Sequence, residues 1–226
     1  MATDSSYLSA PALSRQAPPR IQTSTLDVFE VGLVFSLIMT AVWTLQGTLN
    51  TAVTLAATLL VIVLTLRSGW SGRELGLRRP LSGIVVMFAL GALCLAAIAG
   101  LGTFTRSYGL PHAVPLNRSW QYAVWALVQE FILQSFFFVR LERVFGGRRA
   151  VWAAAVLFAV AHIPSPLLTA LSFLGALFFC EMFRRYRNIF PLGMIHAALG
   201  LTIAASLPDS ILHHMRVGIG YLVLHH

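Results

Sequence analysis

Seven apolar segments divide this chain and constrain its fold more than any other feature. Most of them are close to the 20 or so residues that a helix needs to cross the hydrocarbon core of a bilayer. A segment in lipid must satisfy its own backbone hydrogen bonds, so such spans form helices. The sequence therefore predicts an all-α, polytopic membrane protein with about seven transmembrane helices. The segments are Val28–Leu49, Thr51–Leu66, Leu81–Leu101, Trp120–Val139, Ala150–Ile163, Pro166–Phe183 and Ile189–Ser206.

The composition agrees with a membrane protein and excludes a nucleic-acid-binding one. Charged residues make up 11% of the chain and hydrophobic residues 57%, whereas about a quarter of a soluble domain is charged. The formal net charge is +8, but the basic residues lie in short clusters between apolar segments and not on one soluble face. We therefore expect the lipid bilayer as a partner, and no nucleic acid.

The chain divides into three regions. Residues 1–27 are rich in Ser, Ala and Pro and lack the apolar core of a signal peptide, which predicts a disordered N-terminal arm. Residues 28–206 form one integral membrane domain, and residues 207–226 form a C-terminal tail. The fifth segment is short for a span, and Pro164-Ser165-Pro166 joins it to the sixth, so these two segments are predicted to form a helical hairpin.

The arginines predict the orientation. All 16 basic residues are arginine. If the N-terminus is cytoplasmic, every arginine except Arg106, Arg118 and Arg216 falls on the inner side. The positive-inside rule thus predicts a cytoplasmic N-terminus and an outer C-terminus, in a membrane of the bacterial inner-membrane type.

Three ionisable residues lie at similar predicted depths on three different spans. Counted from the inner ends of their segments, Glu130 lies about 15 Å into the bilayer, His162 about 18 Å and His196 about 12 Å. Such groups cost a few kcal/mol each at this depth unless they face a partner or a wet cavity. Any one of them could be a simple interhelical hydrogen-bonding group. Together they predict a polar chamber inside the membrane.

Four motifs carry a resemblance to a known family. They are GRELGLRRP before the third segment, QEFILQS from Gln129, FAVAH ending at His162, and HAALG from His196. From about Arg73 to Ser206 the chain resembles the CPBP family (CAAX-protease and bacteriocin-processing), which includes glutamic-type intramembrane endopeptidases that cleave prenylated proteins. The resemblance implies a membrane peptide or a prenylated or lipid substrate, and no cofactor. It also implies that His162 activates a water between helices and that His196 stabilises the oxyanion.

Three positions depart from the family pattern. Gln129 stands where the family has its base glutamate, Gln134 where it has an arginine, and Gly200 where it has Asn or Asp. A carboxamide cannot take a proton from water, so the usual base is missing. Glu130 matches the second glutamate of the motif, about 100° further round the helix.

Three functions remain open from the sequence. The first is an endopeptidase with Glu130, His162 and His196 as catalytic residues, and with Gln129, Gln134 and Phe158 in support. The second is a lipid- or isoprenoid-modifying enzyme in which a buried, protonated Glu130 acts as the acid and Phe136, Phe137 and Phe138 shape an apolar pocket. The third is a pseudoprotease scaffold that binds a membrane peptide without cutting it.

The tail contains a weak candidate for a metal site. Asp209, His213 and His214 form a D-x-x-x-H-H pattern, and residues four apart share a face if the segment is one helix. Carboxylate and imidazole groups are common metal ligands. The competing interpretation is an amphipathic turn at the membrane interface with solvated histidines, so no metal is assigned.

Overall fold

A computed structural model describes residues 20–78, 81, 83–105 and 116–223 of the chain. Over these ranges the protein is helical and contains no strand, which confirms the predicted all-α class. A π-helical segment, Phe131–Phe138, follows α4 directly, and a short 3₁₀ turn, His213–Met215, follows α9. The α-helices are α1 Arg20–Val42, α2 Thr48–Arg67, α3 Ile84–Thr105, α4 Leu116–Glu130, α5 Val139–Phe145, α6 Gly147–Val160, α7 Pro166–Tyr186, α8 Ile189–Ser206, α9 Asp209–Leu212 and α10 Gly218–Val223.

Six helical stretches in the described part of the chain are long and apolar enough to cross a membrane. They are Ser24–Val42, Thr48–Arg67, Ile84–Thr103, Ser119–Phe145, Pro166–Tyr186 and Ile189–Ser206. Helix α6 has 14 residues and is about 21 Å long, so it falls short of a full span. It packs along α7 as the predicted hairpin. Six spans and one short helix agree approximately with the expected count of seven.

The prediction of a disordered arm over residues 1–27 is wrong for its last part. Helix α1 already begins at Arg20, while residues 1–19 lie outside the described ranges. Asp27 is 5% exposed and lies 3.3 Å from the Arg143 side chain, and Glu30 pairs with Arg140 one turn later. These tertiary ion pairs stabilise the start of the helix, and local composition does not reveal them.

Arg140 is fully buried and connects three helices at one end of the bundle. Its Nε donates to Glu30 of α1 at 2.7 Å, and its terminal nitrogens donate to the backbone carbonyls of Phe136 and of Leu64 in α2. The guanidinium also lies over the rings of Phe136 and Trp70, 3.8 and 4.7 Å from their centroids, in cation–π contacts. Carboxylate, carbonyls and rings together replace the water that a buried guanidinium loses.

The π-helical segment begins immediately after Glu130. Its wider turn is seen at Val139, whose N–H donates to the carbonyl of Gln134 five residues earlier. Segments of this kind are rare and are frequently found at functional sites. Within it, the Ser135 hydroxyl donates to the carbonyl of Leu75 at 2.7 Å, which joins the segment to the loop between α2 and α3.

That loop carries the GRELG part of the first motif and packs against α7 and α8. The Ser71 N–H and hydroxyl both donate to the Glu74 carboxylate at 2.8 Å, and these hydrogen bonds lower the pKa of Glu74. Gly76 has φ +74°, and a Cβ there would lie 2.5 Å from the Phe183 ring. Its carbonyl accepts from the Ile189 N–H at the start of α8. The motif therefore fixes the junction of α7 and α8 against the π-helical segment.

Helix α8 lies between α3 and α4 and approaches both closely through glycines. A Cβ at Gly193 would lie 2.8 Å from the Leu127 side chain of α4, and one at Gly91 of α3 would lie 2.9 Å from Ile195. Small residues allow transmembrane helices to approach in this way. As a result, the side chain of His196 lies inside the bundle.

The substitution Glu30→Gln removes the carboxylate that pairs with the buried Arg140 guanidinium. Because an unpaired buried charge is costly, we expect the free energy of unfolding to fall by about 3 kcal/mol. Unfolding in detergent micelles, followed by circular dichroism, measures this loss. Glu181→Gln is the control, since Glu181 pairs with Arg184 and Arg185 near the surface, where a salt bridge contributes about 1 kcal/mol or less. Equal losses for the two variants would contradict the role assigned to Arg140.

Candidate functional site

Glu130, at the end of α4, is fully buried and has a partner for each carboxyl oxygen. Its Oε1 lies 2.8 Å from His196 Nδ1 of α8, and its Oε2 accepts a hydrogen bond from Gln134 Nε2 at 3.1 Å. Gln134 is fully buried as well and lies one helical turn further along the π-helical segment. A carboxyl group buried in an apolar bundle needs such partners, and these two come from separate helical elements.

The contact between Glu130 and His196 determines which imidazole nitrogen is available for chemistry. Oε2 of the carboxyl already accepts from Gln134, so the shared proton lies between Oε1 and His196 Nδ1. When Nδ1–H donates to the carboxylate, Nε2 of a neutral imidazole is a proton acceptor. A carboxylate behind a histidine holds this tautomer and stabilises the imidazolium that forms when Nε2 takes a proton.

Two aromatic rings fix the orientation of the His196 imidazole. Phe179 of α7 stacks on it, with ring centroids 5.2 Å apart and an interplanar angle of 17°. Phe158 of α6 meets it edge-on at 5.9 Å. The Phe158 ring also lies 4.7 Å from the imidazole of His162, so it contacts both histidines.

His162 lies in the turn after α6, and its ring orientation follows from one hydrogen bond. His162 Nδ1 is 2.6 Å from the Phe158 carbonyl oxygen. A carbonyl oxygen only accepts hydrogen bonds, so Nδ1 carries the proton and Nε2 of the neutral ring has the free lone pair. His162 and His196 thus share one arrangement, with Nδ1–H engaged and Nε2 left for a ligand or a water.

A cavity of about 560 Å³ lies between the helices, within the usual range for small-molecule sites. Aliphatic and aromatic side chains from α1, α3, α4, α6, α7 and α8 form most of its wall. The residues with polar side-chain groups on this wall are Cys94, Tyr122, Trp125, Gln129, His162, Ser172 and His196. The cavity is therefore a largely apolar chamber with a few polar groups, and not the polar chamber that the sequence predicted.

The predicted catalytic residues converge, but not as the sequence suggests. His162 and His196 both line the cavity, whereas Glu130 lies behind His196 and does not reach the wall. Gln129, assigned a supporting role, faces the cavity instead. Neighbouring residues on a helix point about 100° apart, so the two side chains cannot share a surface. Gln134, also assigned a supporting role, binds the Glu130 carboxyl away from the cavity.

The tail does not form the continuous helix on which the metal-site interpretation depends. Helix α9 ends at Leu212, and His213 and His214 have left-handed backbone angles, with φ 48° and 54°. The side chain of Asp209 lies outside the described part of the chain. Among the described residues, no group of three potential ligands is close enough to hold a metal ion. Metal binding by these residues therefore stays an untested prediction.

Two residues of the site were not predicted from the sequence. Phe179 stacks on His196, and no local pattern marks this phenylalanine among its neighbours on α7. Tyr122 lines the cavity and lies seven residues before Gln129. That spacing puts both side chains on one helix face. The tyrosine could have been predicted from it.

Alanine substitution at two adjacent positions tests this geometry. Glu130→Ala leaves His196 Nδ1 and the Gln134 amide without their acceptor in a buried site, at a cost of about 1–3 kcal/mol each. We therefore expect the free energy of unfolding in detergent micelles to fall by more than about 2 kcal/mol. Gln129→Ala truncates a side chain at the cavity wall, and we expect a loss below about 1 kcal/mol. A larger loss for Gln129→Ala would show that the two faces are assigned the wrong way round.

Comparison with known proteins supports the family resemblance. Residues 112–202 match a family model described as type II CAAX prenyl endopeptidase Rce1-like. No curated protein and no solved structure matches the chain. The matched range contains QEFILQS, FAVAH and HAALG, and with them Glu130, His162 and His196. The match thus confirms, over residues 112–202, the predicted resemblance to the CPBP family of membrane proteins.

Proposed function

We propose that the protein is a membrane endopeptidase of the CAAX-protease type whose general base is His196 backed by Glu130. The observation that carries this proposal is the 2.8 Å contact between Glu130 Oε1 and His196 Nδ1 at the wall of an apolar cavity. The family match supports a CAAX-protease-like membrane endopeptidase at the level of the family. The assignment of the base, the substrate and the orientation in the membrane are parts of the proposal.

The reaction is the hydrolysis of a peptide bond by a water in the cavity. His196 Nε2 takes a proton from this water while its oxygen attacks the peptide carbonyl carbon, and the Glu130 carboxylate stabilises the resulting imidazolium. The C–N bond then breaks, and His196 returns the proton to the leaving amine. His162 Nε2, the other free lone pair on the wall, accepts the second hydrogen of the attacking water and orients it.

This mechanism accounts for the missing carboxylate at position 129. The carboxylate that supports the base is Glu130, which lies behind His196, so the residue of α4 at the wall need not be ionised. The Gln129 amide makes no hydrogen bond to a described residue and lines the cavity, where it can donate to a substrate carbonyl. His196, and not His162, is the base in this scheme, because the carboxylate contacts His196.

The cavity wall suits a substrate with a long apolar group. Phe35 and Ile38 of α1, Leu171 and Phe178 of α7, and Leu199 of α8 all line it. Such a wall favours a prenyl or acyl chain through burial of apolar surface, while the histidines lie beside the peptide bond. A prenylated peptide within the membrane fits these features together.

The two other functions considered from the sequence have less support. Proton donation from Glu130 to a lipid or isoprenoid needs contact with the cavity, and His196 stands between them. Of the three phenylalanines expected to shape a pocket, Phe137 lines the cavity, while Phe136 and Phe138 are fully buried in the core. A pseudoprotease remains one possible outcome of the assay below.

Cleavage of a farnesylated C-a-a-X peptide tests the proposal. The peptide carries a fluorophore and a quencher on either side of the bond after the prenylated cysteine, and the protein is reconstituted in phospholipid vesicles. Because Glu130 holds the tautomer of the base, we expect Glu130→Gln to lower kcat by about 10⁴-fold. His196→Ala removes the base itself and should be at least as severe, whereas Gln129→Ala should cost about tenfold or less.

Glu181→Gln is the control for this assay, because Glu181 pairs with Arg184 and Arg185 and does not line the cavity. Its kcat should equal that of the wild type. Unchanged activity in Glu130→Gln would reject the proposed base. A folded wild-type protein that binds the peptide without cutting it would favour a pseudoprotease.

We also propose that the end of the bundle containing Trp70 and Arg140 is cytoplasmic, in a bacterial-type inner membrane. Arg143 lies over Trp70 at this end, and Arg187 pairs there with Glu142. Such clustering of arginines is typical of the cytoplasmic side.

Cysteine labelling in intact cells tests the orientation. In a background with Cys94→Ala and Cys180→Ala, we introduce Arg148→Cys in the first turn of α6 or Arg216→Cys before α10, both at exposed positions. A membrane-impermeant maleimide should label the cysteine at 216 in intact cells and the one at 148 only after lysis, because the charged reagent does not cross lipid. The reverse pattern would reject the orientation.

A further inference from the structure

Tyr122 of α4 fills the space beside Gly200 of α8. A Cβ at position 200 would lie 2.0 Å from the Tyr122 hydroxyl oxygen and 2.6 Å from two of its ring carbons. No side chain larger than that of glycine fits there while the tyrosine keeps its position. The phenol therefore occupies the place that a side chain at position 200 would take.

The Tyr122 hydroxyl is available to a ligand in the cavity. Tyr122, Gly200 and His196 all line the same wall. The hydroxyl makes no hydrogen bond to any residue in the described part of the chain, although the ring is partly buried. A phenol keeps its proton at neutral pH. The wall thus contains an unused O–H donor in apolar surroundings, where a hydrogen bond to a developing charge is strongest.

The position of this donor relative to His196 follows from the two helices. Gly200 is four residues after His196, one turn or about 6 Å along α8. On α4, Tyr122 and Gln129 lie two turns apart on one face. The hydroxyl therefore lies about one turn of α8 along the wall from His196, while Gln129 lies two turns from Tyr122 on α4, next to the Glu130 that contacts His196.

We propose that Tyr122 is a catalytic residue that donates a hydrogen bond to the substrate's carbonyl oxygen as it becomes an oxyanion. The inference rests on the proposed function, because the oxyanion forms only if a water near His196 attacks a carbonyl. Because Gly200 has no side chain, the phenol fits beside α8 at the cavity wall. The proton stays on Tyr122, and no bond to the tyrosine forms or breaks. Loss of one such donor lowers kcat by about 10²–10³-fold in other hydrolases.

Tyr122→Phe removes the hydroxyl and keeps the ring, so it separates chemistry from packing. With the farnesylated peptide in phospholipid vesicles, we expect kcat to fall by about 10²-fold, because one oxyanion donor is lost. KM should stay within about threefold, because the donor acts mainly in the transition state. Tyr186→Phe, at the last residue of α7 and outside the cavity wall, is the matched control and should leave both constants unchanged. A kcat within about threefold of the wild type for Tyr122→Phe would overturn the inference.

Two uncleavable ligands give a readout that does not need turnover. One is the same farnesylated peptide with a phosphinate in place of the scissile amide, which mimics the tetrahedral oxyanion. The other has two methylene groups there and lacks the oxygen. Tyr122→Phe should weaken the phosphinate by about 10²-fold and leave the methylene analogue unchanged.

The binding results distinguish failure of the inference from failure of the proposed function. A wild-type protein that binds neither ligand would overturn both. Wild-type cleavage combined with equal phosphinate binding by wild type and Tyr122→Phe would overturn the inference alone.

Moving the donor from position 122 to position 200 tests whether catalysis can be rescued. Gly200→Asn alone should damage folding, because its side chain meets the phenol. In Tyr122→Ala/Gly200→Asn the space is vacated, and an amide donor reaches the cavity from α8. This double variant should be at least about tenfold faster than Tyr122→Ala, since it restores a donor. A folded double variant no faster than Tyr122→Ala would assign the tyrosine a packing role and overturn the inference.

Discussion

The buried carboxyl group of Glu130 is the interaction on which the site depends. In an apolar bundle it is stable only with a partner for each oxygen, and His196 and Gln134 meet that requirement. The same two contacts join α4, α8 and the π-helical segment. A single requirement of burial therefore explains both the packing of three elements and the orientation of the imidazole that lines the cavity.

A second buried charge stabilises the bundle nearer its arginine-rich end. Arg140 lies ten residues beyond Glu130, past the π-helical segment, and is bound by Glu30 and two backbone carbonyls. The loop before α3 reaches the same segment through Ser135 and Leu75. Contacts made by Gln134, Ser135 and the Phe136 carbonyl thus fix the middle of the π-helical segment, and Gln134 is held beside Glu130.

Much of the fold could be predicted from the sequence, because the bilayer links apolar length directly to helical structure. From this link we predicted the spans, the hairpin around Pro164 and the presence of polar groups at one depth. The start of α1 could not be predicted in this way, since it depends on ion pairs made by Asp27 and Glu30 with distant arginines. Nor could the sequence tell which of Gln129 and Glu130 faces the cavity, because that choice depends on the rotation of α4 against α8.

The shortness of α6 bears on how water reaches a site enclosed by lipid. A helix of 14 residues covers about 21 Å of a hydrocarbon layer that is about 30 Å thick. A bilayer accommodates a helix shorter than its hydrocarbon layer by thinning beside it. His162 lies two residues beyond that end. For the hydrolysis proposed above, a boundary drawn towards His162 would shorten the route by which water reaches the cavity.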